Sequence, residues 1–151
     1  MKLISAFLRL VRWPNLVFII ITQFLFEWSI YARVYPMQFE LSNHFQFSLI
    51  LLASVFIAAA GYIINDYFDQ NIDQINKPTK MVVNTIINRR WVIFWHMVLS
   101  LAGLFFTMLA LPIQLYWHLV LGNLGAILLL WFYSTNFKKQ LLIGNIIISL
   151  L

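Results

Sequence analysis

Four long apolar runs, separated by short polar stretches, set the pattern of this chain. They fall at about 15–34, 46–65, 91–111 and 115–133. Within each run the apolar residues are continuous and do not alternate as barrel strands do. Each is long enough for the roughly 20 residues a membrane-spanning helix needs. Pro14 suits a first helical turn, and Pro112 marks a turn after the third helix. A fifth run, LLIGNIIISLL at 141–151, is too short to cross the hydrocarbon. It is expected to be the start of a helix cut short, so that the chain is part of something longer. The alternative is a half helix that lies as a lid on a partner chain.

Composition supports this division. The chain is 62% hydrophobic and 10% charged, against about 25% charged in a soluble domain. The expected class is an all-α, polytopic transmembrane bundle, one membrane domain over 1–151. The net charge of +5 is no nucleic-acid signal, because the cations cluster between apolar runs. Lys2, Arg9, Arg12, Lys77, Lys80, Arg89, Arg90, Lys138 and Lys139 fall on one side, and only Arg33 on the other. The positive-inside rule therefore places the N-terminus in the cytoplasm, with a bacterial inner membrane as the expected setting. No small-x-small cleavage site follows the first run, so that helix is expected to be retained. The chain has no cysteine, which excludes thiol chemistry.

The stretch NDYFDQNID, residues 65–73, holds three of the five acidic residues. Asp66, Asp69 and Asp73 are spaced i, i+3, i+7. If the second helix continues through them, they share one edge with Tyr62 and Asn65, within an arc of about 100°. Carboxylates stacked on a helix C-terminus repel one another and oppose its dipole. A hard cation such as Mg²⁺ relieves both. Lys77, Lys80, Arg89 and Arg90 follow in the next loop. An acidic edge that loads a metal, beside a cationic loop and apolar helices, suits a lipid diphosphate.

NDYFDQNID also resembles the first aspartate-rich motif, N-D-x-x-D-x-x-x-D, of the UbiA-type intramembrane prenyltransferases. RWPN at 12–15, INKPTK at 75–80 and YSTNFKKQLLIGN at 133–145 resemble the same family in the same order. The resemblance implies a nine-helix fold around a central cavity. It implies Mg²⁺-dependent transfer of an isoprenoid chain from its diphosphate to a lipophilic acceptor. It assigns Asn65, Asp66, Asp69 and Asp73 to the metal and catalytic site, and Lys77 and Lys80 to the diphosphate. Arg12, Asn15, Tyr62, Tyr133 and Lys138 are implied to bind substrate. Lys80 stands where the family usually has Arg. The acceptor leans toward a prenylated glycerol phosphate, with an aromatic or quinone precursor as the alternative. The family's second aspartate motif is lacking, since no Asp follows Asp73. The 151-residue chain alone is therefore expected to be inactive.

Some residues read otherwise. Glu27 lies inside the first span and is either a cavity group or an interfacial acid. His44, His96 and His118 lack metal-ligand spacing and are expected to be structural. Gly61, Gly103, Gly122, Gly125 and Gly144 are expected to let helices approach closely. Two rival classes are a cation-transporting membrane protein and a non-catalytic membrane subunit.

Overall fold

The computed structural model describes residues 2–40, 44–76, 81–110, 112–140 and 142–150. They form helices α1 (Lys2–Leu10), α2 (Trp13–Leu25), α3 (Ala32–Val34), α4 (Pro36–Glu40), α5 (His44–Phe68), α6 (Gln70–Asn76), α7 (Arg89–Ala110), α8 (Ile113–Thr135) and α9 (Ile143–Leu150). A π-helical segment, Phe26–Tyr31, joins α2 to α3. Among the described residues, four helical stretches are long and apolar enough to cross a membrane: Trp13–Val34, His44–Phe68, Arg89–Ala110 and Tyr116–Thr135. Each overlaps one of the four runs read from the sequence. Among the described residues there is no strand, only one isolated bridge between Val83 and Ile87.

Helix α5 is the axis of the fold. Half of its spanning window is buried, against none of that of Trp13–Val34 and 6% of that of Tyr116–Thr135. It packs most extensively on α7 and less so on α8 and α2. Gly103 allows the α5–α7 approach, because a Cβ there would sit 2.6 Å from Ile57 Cγ1 and 3.2 Å from the Ala53 carbonyl oxygen. Gly61 and Gly144 likewise face neighbouring atoms at 2.9 Å and 2.8 Å. Gly122 and Gly125 do not fit that expectation, since a Cβ at either meets nothing within 4 Å.

One element was not expected. Residues 2–10 form the short helix α1, which buries Ala6 and Leu10. Ala6, Leu10 and Val11 join Ala60 and Ile63 of α5 in one core with Val82, Val83 and Ile87. Those last three belong to a tight turn between α6 and α7. The turn is closed by the Ile86 and Ile87 amides, which donate to the Val82 carbonyl at 3.0 and 3.1 Å. Asn84 adopts φ 64° in it, a conformation Asn tolerates better than most residues. Its Nδ2 donates to Gln70 Oε1 at 2.9 Å, which ties the turn to the start of α6.

Candidate functional site

The aspartate edge lies where α5 ends. The helix stops at Phe68, and α6 resumes at Gln70. Asp69 is the single residue between them, and it is buried at 8% exposure. The Asp69 amide donates to the Asn65 carbonyl at 3.0 Å and the Asp73 amide to the Asp69 carbonyl at 2.9 Å, so backbone hydrogen bonding continues across the break. Asp69 and Asp73 line a cavity together with Asn65, while Asp66 is not on its wall. Among the described residues, no three His, Cys, Asp or Glu side chains gather closely enough to hold a metal ion. Asp69 and Asp73 thus share one wall with Asn65 and Tyr62, while Asp66 turns to a partner of its own.

That partner is Arg12. Its Nη2 donates to Asp66 Oδ1 at 2.8 Å, and its Cζ lies 5.1 Å from the centroid of the Tyr62 ring. Arg12 caps α2 with φ 53° and ψ 54°, in the left-handed region that costs a bulky L-residue about 1–2 kcal/mol. The strain is retained at a residue whose guanidinium spans a carboxylate and an aromatic face. Asn15, one turn on, donates from Nδ2 to the Tyr62 hydroxyl at 3.4 Å.

Lys138 plays the matching part from the other side. Its Nζ forms an ion pair with Asp69 and donates to Asn65 Oδ1 at 3.1 Å. Asn65 Nδ2 in turn donates to Asp69 Oδ2 at 3.0 Å. Lys138 is delivered by the short 3₁₀ turn Phe137–Lys139 just after α8. Beyond α6, the Arg89 guanidinium lies 4.3 Å from the Tyr67 ring centroid. Lys77 and Lys80 lie outside the described residues.

The cavity these groups rim has a volume of about 840 Å³, within the usual range for a ligand site. Asp69, Asp73, Asn76 and Lys138 line it near the ends of α5, α6 and α8, and Arg12, Tyr62 and Tyr133 also contribute. From there it runs down α5 past Gly61, Ala58 and Ile57 to Ser54, opposite Ala126 and Leu130 of α8. Asn65 to Ser54 is about 16 Å along a helix at 1.5 Å per residue. The far part carries polar groups that sequence reasoning missed: Gln23, Ser54 and Asn123. Asn123 Nδ2 donates to Thr107 Oγ1 at 2.7 Å. Their signal was present in the sequence, as polar residues inside apolar runs.

The remaining residues sit elsewhere. Glu27 lies in the π-helical segment, not on the cavity wall. His96 is buried and donates from Nδ1 to the Ala60 carbonyl at 3.0 Å. His44 stacks on Trp28 with ring centroids 5.7 Å apart, and His118 packs against Tyr116 at 6.1 Å.

The family model described as the UbiA prenyltransferase family matches residues 28–151. The chain belongs to that family. It is 32% identical over 152 residues to the digeranylgeranylglyceryl phosphate synthase of Sulfurisphaera tokodaii, covering 97% of this chain and 49% of that protein. It is 31% identical over 147 residues to the synthase of the same name from Pyrococcus horikoshii, again covering 97% and 49%. A solved structure described as "Structural and mechanistic insights into the biosynthesis of Digeranylgeranylglyceryl phosphate synthase in membranes" matches with a TM-score of 0.81 at 26% identity. That match covers 98% of this chain and 49% of that one. The chain thus spans about half the length of the relatives it matches. Those two named relatives are archaeal, and nothing in them points to a bacterial membrane.

Proposed function

We propose that the protein carrying this chain transfers a prenyl group from an isoprenoid diphosphate to a membrane-borne acceptor that bears a glycerol phosphate. The reading rests on one observation. A rim of paired carboxylates and cations, Asp66–Arg12 and Asp69–Lys138, stands over a mainly apolar cavity running about 16 Å along α5. The rim suits a diphosphate and the cavity a hydrocarbon tail. The names of the relatives add the glycerol phosphate acceptor.

The donor chemistry suits Mg²⁺. Asp69, Asp73 and Asn65 offer hard oxygen atoms on one wall, and Mg²⁺ is commonly held by one or two carboxylates, waters and substrate phosphates. The cations now on Asp69 and Asp66 already stand where positive charge is favourable. When bound, Mg²⁺ would neutralise the diphosphate and ease its departure. Lys138 and Arg12 are placed to take up part of the same charge. The bond between the allylic carbon and the diphosphate oxygen breaks, and its electron pair leaves with the diphosphate. The acceptor's hydroxyl oxygen bonds to that carbon, and its proton passes to the released diphosphate. The Tyr62 face, which already holds a guanidinium at 5.1 Å, suits a passing carbocation. The apolar walls keep water from intercepting it.

In this reading Lys77 and Lys80 grip the diphosphate, and the rim faces the cytoplasm. The chain forms part of a nine-helix fold, and the 151 residues alone do not turn over. The test is transfer of radiolabelled geranylgeranyl diphosphate to an alkylglycerol phosphate by the full-length protein in nanodiscs. Product is expected with Mg²⁺ and none with excess EDTA. Product that persists in EDTA refutes the metal assignment, and no product with any phosphate-bearing or aromatic acceptor refutes the transfer reading.

A further inference from the structure

A second recess lies at the elbow between α1 and α2, outside the cavity but sharing one residue with it. Its volume is about 760 Å³, and its walls include Ile4, Ser5, Leu8, Arg9, Arg12 and Trp13. Arg12 is the shared residue, since it also lines the main cavity. We propose that this elbow is the subsite for the phosphate of a membrane lipid, and that it holds the phosphate of the acceptor beside the transfer site.

The charge is of the right sign and of unequal availability. The Arg12 guanidinium is already paired with Asp66 at 2.8 Å. Arg9 forms no ion pair with any described residue. A guanidinium without an ion pair among the described residues, beside a half-neutralised one, suits a phosphate, whose oxygens accept from its planar fork in pairs. Ile4 and Leu8 are exposed at 69% and 44% in the same recess, beside an exposed Trp13. An anionic head set among apolar walls is the chemistry of a lipid.

The placement agrees. Helix α1 has nine residues, about 14 Å, too short to span a bilayer. It exposes Leu3, Ile4 and Leu8 and carries Lys2 and Arg9, as a helix lying in the membrane interface does. Lipid phosphates are concentrated at that depth. A phosphate on Arg9 also lies close to the rim through Arg12. In a glycerol phosphate the neighbouring hydroxyl is only two carbons from the phosphate oxygen.

The identity of this lipid as acceptor rests on the prenyl-transfer reading, so the test has two arms on the full-length protein. In the first, binding of an alkylglycerol phosphate in nanodiscs is compared with that of the same alkylglycerol lacking phosphate and with inorganic phosphate. Wild type is expected to prefer the lipid phosphate over both, and Arg9→Gln to lose about tenfold. Ser5→Trp, which fills the recess and leaves both arginines, is expected to lose binding as well. Equal binding by Arg9→Gln overturns the proposal, as does inorganic phosphate binding as tightly as the lipid. In the second arm, Arg9→Gln is expected to raise the acceptor KM about tenfold and leave the donor KM unmoved. A matching rise in donor KM, or no rise in acceptor KM, overturns the acceptor role. A wild type that transfers nothing refutes the prenyl-transfer reading instead, and the binding arm alone then decides whether the elbow holds lipid phosphate.

Discussion

Lys138 gives the sharpest test of the rim, because it should act in opposite directions on the two ligands. In the structure its ammonium occupies Asp69, a carboxylate that a metal would also use. Lys138→Met removes that competitor. A third of the lysine side chain is exposed, against 12% of Asp69, so solvent screening holds the pair to about 1 kcal/mol. Its loss should lower the Mg²⁺ concentration for half-maximal transfer about fivefold. The same lysine is expected to move onto the departing diphosphate, where a charged hydrogen bond contributes about 1.5–3 kcal/mol. Transfer efficiency for the donor should therefore fall about 10- to 100-fold. Steady-state transfer by the full-length protein, titrated in turn with Mg²⁺ and with the diphosphate, reads both shifts. Adding Asp69→Asn to Lys138→Met should erase the Mg²⁺ effect, since the contested carboxylate is gone. Two shifts in the same direction, or donor efficiency within about twofold of wild type, would show that Lys138 only closes a resting ion pair.

Other substitutions separate scaffold from site. Gly103→Ala forces a Cβ within 2.6 Å of Ile57 and 3.2 Å of the Ala53 carbonyl, and should cost about 1–3 kcal/mol. Gly122→Ala, with nothing within 4 Å, should leave the melting temperature in detergent unchanged or slightly raised. Arg12→Gly removes left-handed strain of about 1 kcal/mol together with a half-exposed ion pair worth about 0–1 kcal/mol. Its melting temperature should hold while transfer falls at least about tenfold. Asp66→Ala frees Arg12 and should abolish transfer while membrane insertion, followed by fractionation, stays intact. The double variant should be no worse than the poorer single one if the two residues act as a pair.

The spans were legible because each apolar run is about 20 residues long with few polar interruptions, the length a bilayer requires. The rim residues were legible as types, since clustered acids beside clustered cations are rare in so apolar a chain. Their directions were not. Nothing in FDQNID, which has no Gly or Pro, announces that the helix breaks at Asp69. Asp66 is turned aside by an arginine 54 positions away, whose own placement depends on a left-handed backbone. Helix α1 was missed for a similar reason. Its nine residues are too few to declare a period, and three of its core partners, Val82, Val83 and Ile87, come from the distant 82–87 turn. Glycines show the same limit, because Gly103 and Gly122 look alike until the neighbouring helix is in place.

The docked turn between α6 and α7 bears on how the sidedness of this protein can be measured. Topology is commonly mapped by splicing a reporter into a loop between spans. Here residues 82–87 are not a spare loop, because Val82, Val83 and Ile87 are buried at 5%, 3% and 5% exposure. A reporter inserted there would draw three side chains out of the core and give the orientation of a damaged protein. These 151 residues hold no cysteine of their own, which offers a gentler route. A single cysteine at Ile75, 83% exposed on α6, can take a membrane-impermeant label from one side alone. It would report the face on which the rim opens without touching what holds the rim together.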